Sequence, residues 1–338
     1  MFTKKIIKTV SKNLLLKMAN PLVSIIIPVF NRESLIISTL YSIIKQSYQN
    51  WECIVIDDGS TDDTKKVILK LSETDSRIKL YERPSSYLPG GNGARNYGFI
   101  KSIGQYVHWF DSDDIMEAEN IERKVFLLDN FPQYDYCISQ VRYFDCHYHH
   151  NKFYHINENL KIKSDLYREY ILGNISILNV NPLWRKNVLE TEELYDESIK
   201  QLQDLDFFSR VIFKNSNLGI INEVLISIRR GNQSITTINQ KIKIHTESYL
   251  KVRSRIVLRT PKDREIVLFC LKDVLWCMRL KMSERKYCEA QECLNFIDNY
   301  KNLISNNKRR KIKRIKLFYW IFKKFQKGDT KFKFLLKL

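Results

Sequence analysis

The sequence predicts an α/β fold, in which a mainly parallel sheet carries helices on both faces and a C-terminal helical extension follows. Between residues 21 and 131, short apolar runs alternate with segments whose apolar residues recur at helical spacing. Strands that are apolar on both sides belong to sheets covered on both faces, and such sheets are mostly parallel. Three of the runs end in clusters of polar residues, at the sheet edge where ligands of α/β proteins bind.

The elements of this region follow one another in regular order. Strands are predicted over residues 23–29, 51–58, 77–82 and 105–111, and helices over residues 35–46 and 61–71. Residues 91–103 are predicted to form a loop and then a helix. The polar clusters after the first, second and fourth strands are Asn31–Glu33, Asp57–Ser60 and Asp111–Asp114. Because the carboxyl ends of parallel strands share one edge of a sheet, we expect these clusters to form one site.

Residues 132–300 have a less regular pattern. One or two strands are predicted between residues 136 and 156. Helices are predicted near residues 182–190, 203–214, 245–257 and 262–299. This part of the chain is therefore expected to finish the sheet and to continue into helices.

The net charge of +18 is concentrated at the two ends of the chain. Residues 1–20 contribute +5 and residues 301–338 contribute +13, so residues 21–300 are formally neutral. Blocks of like charge at chain ends usually bind an anionic partner. A neutral central region argues against a nucleic-acid-binding protein, whose basic residues would continue onto the folded core.

Several features bear on the compartment in which the protein works. The seven cysteines are odd in number and none forms a Cys-x-x-Cys pair, which suits a reducing compartment. No apolar run reaches the ~18 residues of a membrane span. The first residues lack the apolar core of a secretory signal. We therefore expect neither a transmembrane helix nor a signal peptide.

Three carboxylates crowd into the turn after the fourth strand, at Asp111, Asp113 and Asp114. Like charges this close repel, and each raises the pKa of the others. A hard divalent cation such as Mg²⁺ or Mn²⁺ would offset the repulsion, because it binds carboxylate oxygens and shares them with substrate phosphates. The alternative is a capped turn ahead of the next helix.

Two further motifs lie at the same predicted edge. Asp57 and Asp58 end the second strand, where acids can accept hydrogen bonds from ribose hydroxyls or a base N–H, although they could equally cap the helix that follows. The glycine-rich stretch 90–98 would let backbone approach a ligand, and Arg95 would lie just inside a helix, where it could bind a diphosphate. It matches neither a dinucleotide fingerprint nor a P-loop.

Together and in this order, these stretches resemble the family-2 glycosyltransferases, a large inverting group with the GT-A fold, which is Rossmann-like. The resemblance extends from about residue 21 to residue 235 and is close over residues 22–131. The matching stretches are VSIIIPVFNRE (23–33), QSYQNWECIVIDDGSTDDT (46–64), GNGARNYG (91–98) and FDSDD (110–114).

The resemblance implies a nucleotide-sugar site lined by Pro28, Phe30, Asn31, Glu33, Asp57, Asp58, Arg95, Asp111 and Ser112. In this site Phe30 would lie near the base, and Asp58 would accept a hydrogen bond from it with Asp57 in support. Arg95 would lie close to the diphosphate and the donor sugar.

The stretch Asp111-Ser112-Asp113 resembles the Asp-x-Asp motif of the family. The implied cofactor is a divalent cation, Mn²⁺ or Mg²⁺, with Asp113 as the expected ligand, Asp111 beside it and Asp114 as the competing ligand. Such a cation would stabilise the charge that develops on the leaving diphosphate.

Inverting transfer also needs a base to deprotonate the acceptor hydroxyl. The family supplies the Asp of a Glu-Asp pair, and QLQDLDFFSR (201–210) matches it with Gln203 in place of the glutamate. Asp204 is then the expected catalytic base. Asp206 is the alternative, although two residues along a helix it should face away from Asp204. Arg229 is a further candidate for diphosphate contact.

The two basic ends suggest a membrane surface as a partner. Residues 308–327 combine lysine and arginine with apolar residues at helical spacing, namely Ile312, Ile315, Phe318 or Tyr319, Phe322 and Phe325. Such a helix is too charged to span a bilayer but suited to lie on an anionic one, and Trp320 belongs at an interface. The alternatives are a solvated tail that packs on the domain and a tail that binds nucleic acid.

Five segments follow from these interpretations: a basic amphipathic N-terminal segment (1–20), a nucleotide-sugar-binding half (21–131), an acceptor-binding half (132–240), a helical region (241–300) and a basic membrane-associating tail (301–338). The expected partners are a nucleotide-diphospho-sugar, a glycan or lipid-linked glycan acceptor and an anionic membrane, but no nucleic acid.

The expected protein is a peripheral enzyme on the cytoplasmic face of the plasma membrane. It would transfer one sugar, with inversion, to a growing glycan of lipopolysaccharide or capsule. The alternatives are a catalytically retired binding protein with the same fold, a nucleic-acid-binding protein that uses its basic ends, and a nucleotidyltransferase of related build.

Overall fold

The computed structural model describes residues 20–145, 154–156, 165–230 and 245–325. The N-terminal segment 1–20 therefore lies outside the described residues except for Asn20, as do residues 326–338 of the tail. The chain divides into two compact units made of interleaved stretches. Described residues 20–145, 154–156, 175–197 and 211–230 form the first unit, and residues 165–174, 198–210 and 245–325 form the second.

The first unit contains a single sheet, with nine strands among the described residues. They are β1 (Val23–Val29), β2 (Trp51–Asp57), β3 (Ile78–Glu82), β4 (Tyr106–Trp109), β5 (Ile115–Met116), β6 (Tyr136–Asp145), β7 (Tyr154–Ile156), β8 (Leu183–Arg185) and β9 (Leu218–Arg230). The strand order is β3-β2-β1-β4-β8-β6-β9-β5, and β7 pairs with β6.

The helices in the described part of the chain have these bounds: α1 Ile36–Ile44, α2 Thr64–Thr74, α3 Gly91–Lys101, α4 Asn120–Asn130, α5 Leu166–Ile171, α6 Lys186–Glu190, α7 Gln203–Lys214, α8 Thr246–Arg259, α9 Arg264–Ser283, α10 Tyr287–Tyr300 and α11 Asn306–Lys324. A short 3₁₀ turn, Lys301–Leu303, separates the last two.

The strands β3, β2, β1 and β4 are parallel, as the apolar runs predicted. Every residue of β2 is buried, because the sheet is covered on both faces here. The rest of the sheet is mixed, since β8 runs antiparallel to both β4 and β6, and β5 runs antiparallel to β9. "Mainly parallel" therefore describes the four-stranded half and not the whole sheet.

Three strands, β5, β8 and β9, were missed by the sequence patterns. The strand β5 has two residues, too few to show a period. The strand β9 has exposed polar residues, Asn222 and Glu223, at its centre, so its apolar positions do not form one run. The predicted helix at 182–190 is in fact β8 followed by α6, because Leu183 and Trp184 are fully buried strand residues.

Helix α3 lies unusually close to the parallel strands. A Cβ atom added at Gly98 would approach Cγ2 of Ile26 to 2.3 Å and Cγ1 of Ile56 to 3.3 Å. Glycine is thus required for the close packing of this helix on β1 and β2. The helix in turn carries Arg95.

The second unit is helical, but the predicted helix over 262–299 is two helices. The chain turns between α9 and α10, where Arg285 has a φ of +59° in the left-handed region. Each helix has an apolar stripe that must be buried. The reversal brings the stripes together, so that the buried Cys277 and Cys293 thiols lie 3.7 Å apart.

Helix α11 packs within the second unit along one stripe, Ile312, Ile315, Tyr319 and Phe322. The Tyr319 hydroxyl donates a hydrogen bond to the carbonyl of Tyr287 over 3.0 Å. Most of the stripe that suggested a membrane contact in the sequence is therefore buried in the protein, whereas its last residue, Phe325, is exposed. No helix in the described ranges has both the length and the apolarity needed to cross a membrane.

Candidate active site

The predicted polar clusters meet at one edge of the sheet, within the first unit. Parallel pairing places Val29 opposite Asp57 and Ile26 opposite Trp109, so β1, β2 and β4 end side by side. Backbone hydrogen bonds continue past the strand ends, from Asp58 N–H to the Val29 carbonyl at 2.9 Å. The loops that follow the strands therefore start from fixed positions.

Asn31 and Glu33 join two of these loops. The Asn31 side-chain oxygen accepts a hydrogen bond from Thr61 N–H at 2.8 Å, and a Glu33 carboxylate oxygen accepts one from Asp63 N–H at 2.8 Å. In return, Ser60 Oγ accepts from Asn31 N–H at 3.0 Å. Asn31 has a φ of +50°, which asparagine tolerates better than most residues. Both side chains thus shape the edge of the site.

Pro28 and Phe30 lie at the end of β1. Pro28 is half-buried, whereas the side chain of Phe30 is 51% exposed. An exposed aromatic ring at a ligand-binding edge offers a flat apolar surface on which a base can stack.

Asp57 is buried and uses one oxygen to hold the next turn. Its Oδ2 accepts hydrogen bonds from Gly59 N–H at 3.1 Å and Ser60 N–H at 3.0 Å. Gly59 has a φ of +90°, which glycine adopts without strain. The other oxygen, Oδ1, is buried and has no hydrogen-bond partner among the described residues.

The Asp58 carboxylate is fixed by two groups from the segment that follows β3. Its Oδ1 accepts a hydrogen bond from the Arg83 guanidinium, and its Oδ2 accepts one from Gly90 N–H at 2.7 Å. Arg83 directly follows β3, and its own N–H donates to the Asp57 carbonyl. The carboxylate of Asp58 is therefore held in one orientation by charge and by backbone.

Arg95 projects from the first turns of α3 toward the acidic turn. Its Nη2 donates to Asp111 Oδ1 at 3.0 Å, and its guanidinium lies 5.4 Å from the ring centroid of Tyr195. A Cβ atom at Gly91 would lie 2.8 Å from Arg95 Nη1, so the glycine leaves room for the guanidinium. The Arg95 side chain is mostly buried, which strengthens its charge interactions.

The acidic turn begins with Asp111 and continues through the buried Ser112 to Asp113. Asp113 Oδ2 forms a loose ion pair with Arg32 Nε at 3.7 Å. Burial raises the pKa of Asp113 above its usual range, and the charge of Asp111 adds to the rise, while Arg32 and Arg229 oppose it. The mutual repulsion expected from the sequence is thus present.

Asp114 has a different environment. Its Oδ1 accepts a hydrogen bond from Arg229 N–H at 2.8 Å, and its own carbonyl accepts one from Thr39 Oγ1. Burial, and then the charges of Asp111 and Asp113, raise the pKa of Asp114 well above the usual value. Arg229, a candidate for diphosphate contact, donates through Nε to the Asp113 carbonyl at 2.9 Å. Asp114 therefore anchors β9 to the turn.

The three carboxylates consequently do not converge on one point. Within the described residues, no three His, Cys, Asp or Glu side chains are arranged to hold a metal ion by themselves. Mg²⁺ is commonly held by one or two carboxylates together with substrate phosphates. Asp113 with Asp111 fits that mode, since their repulsion would be relieved by a cation. Asp114, with its buried hydrogen bond to β9, does not.

The second unit contains the two candidates for the base. Asp204 is half-buried in the first turn of α7, where acids favour the helix dipole. Asp206 is buried, and each oxygen accepts from an arginine, Arg210 Nε at 3.0 Å and Arg255 Nη1 at 2.8 Å. Asp206 is thus committed to ion pairs that hold the second unit together.

Two arginines of the site form ion pairs with its acids, Arg32 with Asp113 and Arg83 with Asp58. Arg32 lies inside the predicted cluster Asn31–Glu33, whereas Arg83 was not found by sequence reasoning. Arg83 directly follows β3, so a search of every strand end for basic as well as acidic residues would have identified it.

Comparison with known proteins gives a family match for the greater part of the sheet and its edge. Residues 24–184 match the family model "Glycosyl transferase family 2". This region begins in β1 and ends in β8, so it includes the acids and arginines of the edge described above except Arg229, whereas Tyr195 and strand β9 lie beyond it.

Curated relatives are similar over parts of their length. An Escherichia coli protein named UDP-Glc:alpha-D-GlcNAc-diphosphoundecaprenol beta-1,3-glucosyltransferase is 41% identical over 107 residues, 32% of this chain and 41% of that protein. A Bacillus subtilis glycosyltransferase named for teichuronic acid biosynthesis is 28% identical over 226 residues, 64% of this chain and 82% of that protein. The chain covers 30–44% of the length of four others, all uncharacterised glycosyltransferases.

Among solved structures, Staphylococcus aureus TarS 1–349 in complex with UDP-GlcNAc has a similar fold, with a TM-score of 0.63 at 15% identity. The match covers 90% of this chain and 88% of that chain. This likeness confirms the predicted α/β fold with a C-terminal helical region.

Proposed function

The chain belongs to glycosyltransferase family 2, and from that premise we propose that it transfers one sugar from a UDP-sugar to a hydroxyl of a growing glycan, with inversion. The observation that carries this proposal is the edge of the sheet's parallel half, where Asp58, Asp111 and Asp113 follow strands β2 and β4 and Arg95 of α3 donates to Asp111.

The base of the donor is assigned to the pocket formed by Phe30, Asp57 and Asp58. Phe30 offers a stacking surface, and Asp58, oriented by Arg83, can accept the N–H of a uracil. The unpartnered Oδ1 of Asp57 is a further acceptor. A uridine donor is supported by the UDP-Glc in the name of the Escherichia coli relative and by UDP-GlcNAc bound in TarS.

The diphosphate is assigned to the acidic turn and Arg95. Asp113, with Asp111 beside it, would hold Mn²⁺ or Mg²⁺, which when bound would neutralise charge on the leaving diphosphate. Arg95 contributes a mostly buried positive charge at the same turn and can contact a phosphate oxygen. Ser112 keeps the two acids apart on the turn.

The acceptor is assigned to Asp204 as catalytic base. The acceptor oxygen attacks the anomeric carbon from the side opposite the diphosphate, and its proton passes to the Asp204 carboxylate. The bond from the anomeric carbon to the diphosphate oxygen breaks, and the nucleoside diphosphate leaves with the electron pair. Attack from the opposite face inverts the configuration. The two arginine partners of Asp206 support the choice of Asp204 over Asp206 as the base.

The acceptor is proposed to be a lipid-linked glycan of a cell-surface polysaccharide, used at the cytoplasmic face of the plasma membrane. The diphosphoundecaprenol acceptor in the name of the Escherichia coli relative and the high positive charge of residues 301–338 support this choice. The enzyme would then be a peripheral membrane protein.

The test is a panel of UDP-, GDP- and dTDP-sugars assayed for slow hydrolysis and for transfer, with and without Mn²⁺. We expect one UDP-sugar to be turned over, and NMR of the product to give an inverted anomeric configuration. Asp113→Asn should abolish turnover, and Asp63→Asn, which changes an exposed acid of the same edge, should leave it unchanged. Binding of a donor without turnover by the wild-type protein would instead favour a retired binding protein.

A further inference from the structure

Helix α11 presents a second apolar face that no part of the described structure covers. Leu317, Trp320, Ile321 and Phe325 recur every three or four residues and are 59%, 63%, 39% and 63% exposed. We call these four residues the outer face. They lie on the side of the helix opposite the buried stripe of Ile312, Ile315, Tyr319 and Phe322.

The outer face is surrounded by positive charge. The helix contains nine lysines and arginines and no acid. Four of them, Arg310, Lys313, Arg314 and Lys324, are exposed and form no ion pair with any described residue. Lys316, by contrast, is used inside the protein, where it pairs with Asp298 at 2.7 Å. A cationic rim thus borders an apolar patch.

From this geometry we propose that the outer face docks on the surface of an anionic lipid bilayer. An amphipathic helix with tryptophan and leucine on one side and lysine and arginine around them lies in the plane of the membrane interface. The indole of Trp320 suits the headgroup level. Each lysine or arginine near an anionic surface strengthens binding several-fold.

The observations favour a bilayer over other occupants. A second copy of α11 would bring two sets of nine positive charges together, which repel. A nucleic acid would use the basic residues but leave the aliphatic side chains Leu317 and Ile321 without a role, because bases stack on aromatic rings. An anionic bilayer would bury the apolar residues at its interface and attract the cationic residues to its headgroups.

The biological purpose of this contact rests on the proposed function, because a lipid-linked acceptor would be presented at the membrane surface to which the outer face binds. It differs from the contact expected from the sequence. That expectation used Ile312, Ile315 and Phe322, which are buried, together with Phe325 and Trp320, which are exposed. The structure therefore keeps Trp320 and Phe325 in the contact and replaces the buried residues by Leu317 and Ile321.

The test is sedimentation of the full chain with vesicles of phosphatidylglycerol and phosphatidylcholine, and with vesicles of phosphatidylcholine alone. The triple variant Leu317→Ser, Trp320→Ser, Ile321→Ser should bind anionic vesicles at least about tenfold more weakly. The triple variant Lys313→Gln, Arg314→Gln, Lys324→Gln should also lose at least about tenfold. Its binding should depend less on salt than that of the wild type.

A matched control removes the same kind of side chain elsewhere. Ile100, Ile103 and Leu258 are exposed apolar residues of other elements, so the triple variant Ile100→Ser, Ile103→Ser, Leu258→Ser should bind like the wild type. Circular dichroism melting shows whether each variant is folded. Trp320→Phe should keep binding but lose most of the blue shift that vesicles cause in tryptophan fluorescence.

The inference would be overturned if the folded wild type did not sediment with anionic vesicles, or if the outer-face and control variants bound vesicles equally well. A dimer that is lost in ultracentrifugation when the outer face is changed would identify a second copy as the occupant instead. Tighter binding of an oligonucleotide than of vesicles would identify nucleic acid instead. Hydrolysis of a UDP-sugar in solution should be unaffected by the outer-face variant, so failure of this inference is distinguishable from failure of the proposed function.

Discussion

At the scale of single residues, the candidate site is organised by pairs of opposite charge. Asp58, Asp111 and Asp113 each have an arginine partner from another element, namely Arg83, Arg95 and Arg32. The contacts of Asp58 and Asp111 are charge-assisted hydrogen bonds, which fix orientation as well as contributing energy, whereas that of Asp113 is a looser ion pair. The carboxylates are thus positioned before any substrate arrives.

The pair between Arg83 and Asp58 leads to the first prediction. Arg83→Met should raise the KM for the donor about tenfold and change kcat little, because only the orientation of Asp58 is lost. Steady-state kinetics with the donor identified by the panel measure both constants. Arg77→Met is the matched control, since Arg77 pairs with Asp75 and stacks on Trp51 away from the edge. An equal change in the two variants would contradict this role.

A buried lysine gives a prediction about pH. Burial lowers the pKa of Lys124 from 10.5 to about 7. The unfolded chain therefore binds a proton between these values that the folded protein does not, so stability falls as the pH falls from about 10 toward 7. Lys124→Met should remove this part of the slope in urea unfolding series. The exposed Lys70→Met should keep it, and an unchanged slope in Lys124→Met would refute the assignment.

Asp206 illustrates a residue whose role is structural. Its carboxylate is buried and forms ion pairs with Arg210 and Arg255, so Asp206→Asn removes two buried ion pairs at once. The free energy of unfolding should fall by about 3 kcal/mol. Asp204→Asn should cost much less, and denaturant unfolding of the two variants makes the comparison. Similar losses in both would argue against the distinction between the two acids.

At the scale of elements, helix α3 packs closely on β1 and β2 at Gly98. Alanine usually stabilises a helix relative to glycine by up to about 1 kcal/mol. At Gly98 the added methyl group would meet Ile26 and Ile56, so Gly98→Ala should instead destabilise the protein by about 1–3 kcal/mol. Thermal unfolding measures the sign directly. A gain in stability would show that the helix does not need to approach so closely.

Elements were predicted correctly where a short stretch of sequence carries the whole pattern, and were missed where it does not. The bounds of β1 match the apolar run 23–29, and β2 ends one residue before its predicted end, because these strands are buried on both faces. The break at Arg285 was missed because a charged residue at positive φ has no pattern of its own. The strand β9 was missed because exposed polar residues interrupt it.

The same reasoning applies to the site and to helix α11. The predicted ends of the strands were enough to locate most of the site residues, because the carboxyl ends of parallel strands lie at one edge of the sheet. The sequence could not show that the Asp114 carboxylate accepts a hydrogen bond from Arg229 of β9, because Arg229 is far from it along the chain. It also could not tell which of the two apolar faces of α11 is buried, because that depends on packing against the helices before it.

At the scale of the whole molecule, the residues assigned to the donor and to the acceptor belong to different units. The first unit contains the sheet edge assigned to the donor, and the second contains Asp204 and the basic helix α11. Residues 21–300 are formally neutral, so the positive charge that could attract an anionic surface is confined to the chain ends. Donor binding and surface binding are therefore expected to respond to separate substitutions.

The central claim is that the sheet edge binds the donor while Asp204 serves the acceptor. Titration calorimetry of the donor in the presence of Mn²⁺ tests it with three proteins, the wild type, Asp113→Asn and Asp204→Asn. We predict that Asp113→Asn weakens donor binding at least about tenfold, and that Asp204→Asn binds the donor like the wild type but has lost turnover. Unchanged donor binding in Asp113→Asn, or weakened binding in Asp204→Asn alone, would contradict the account.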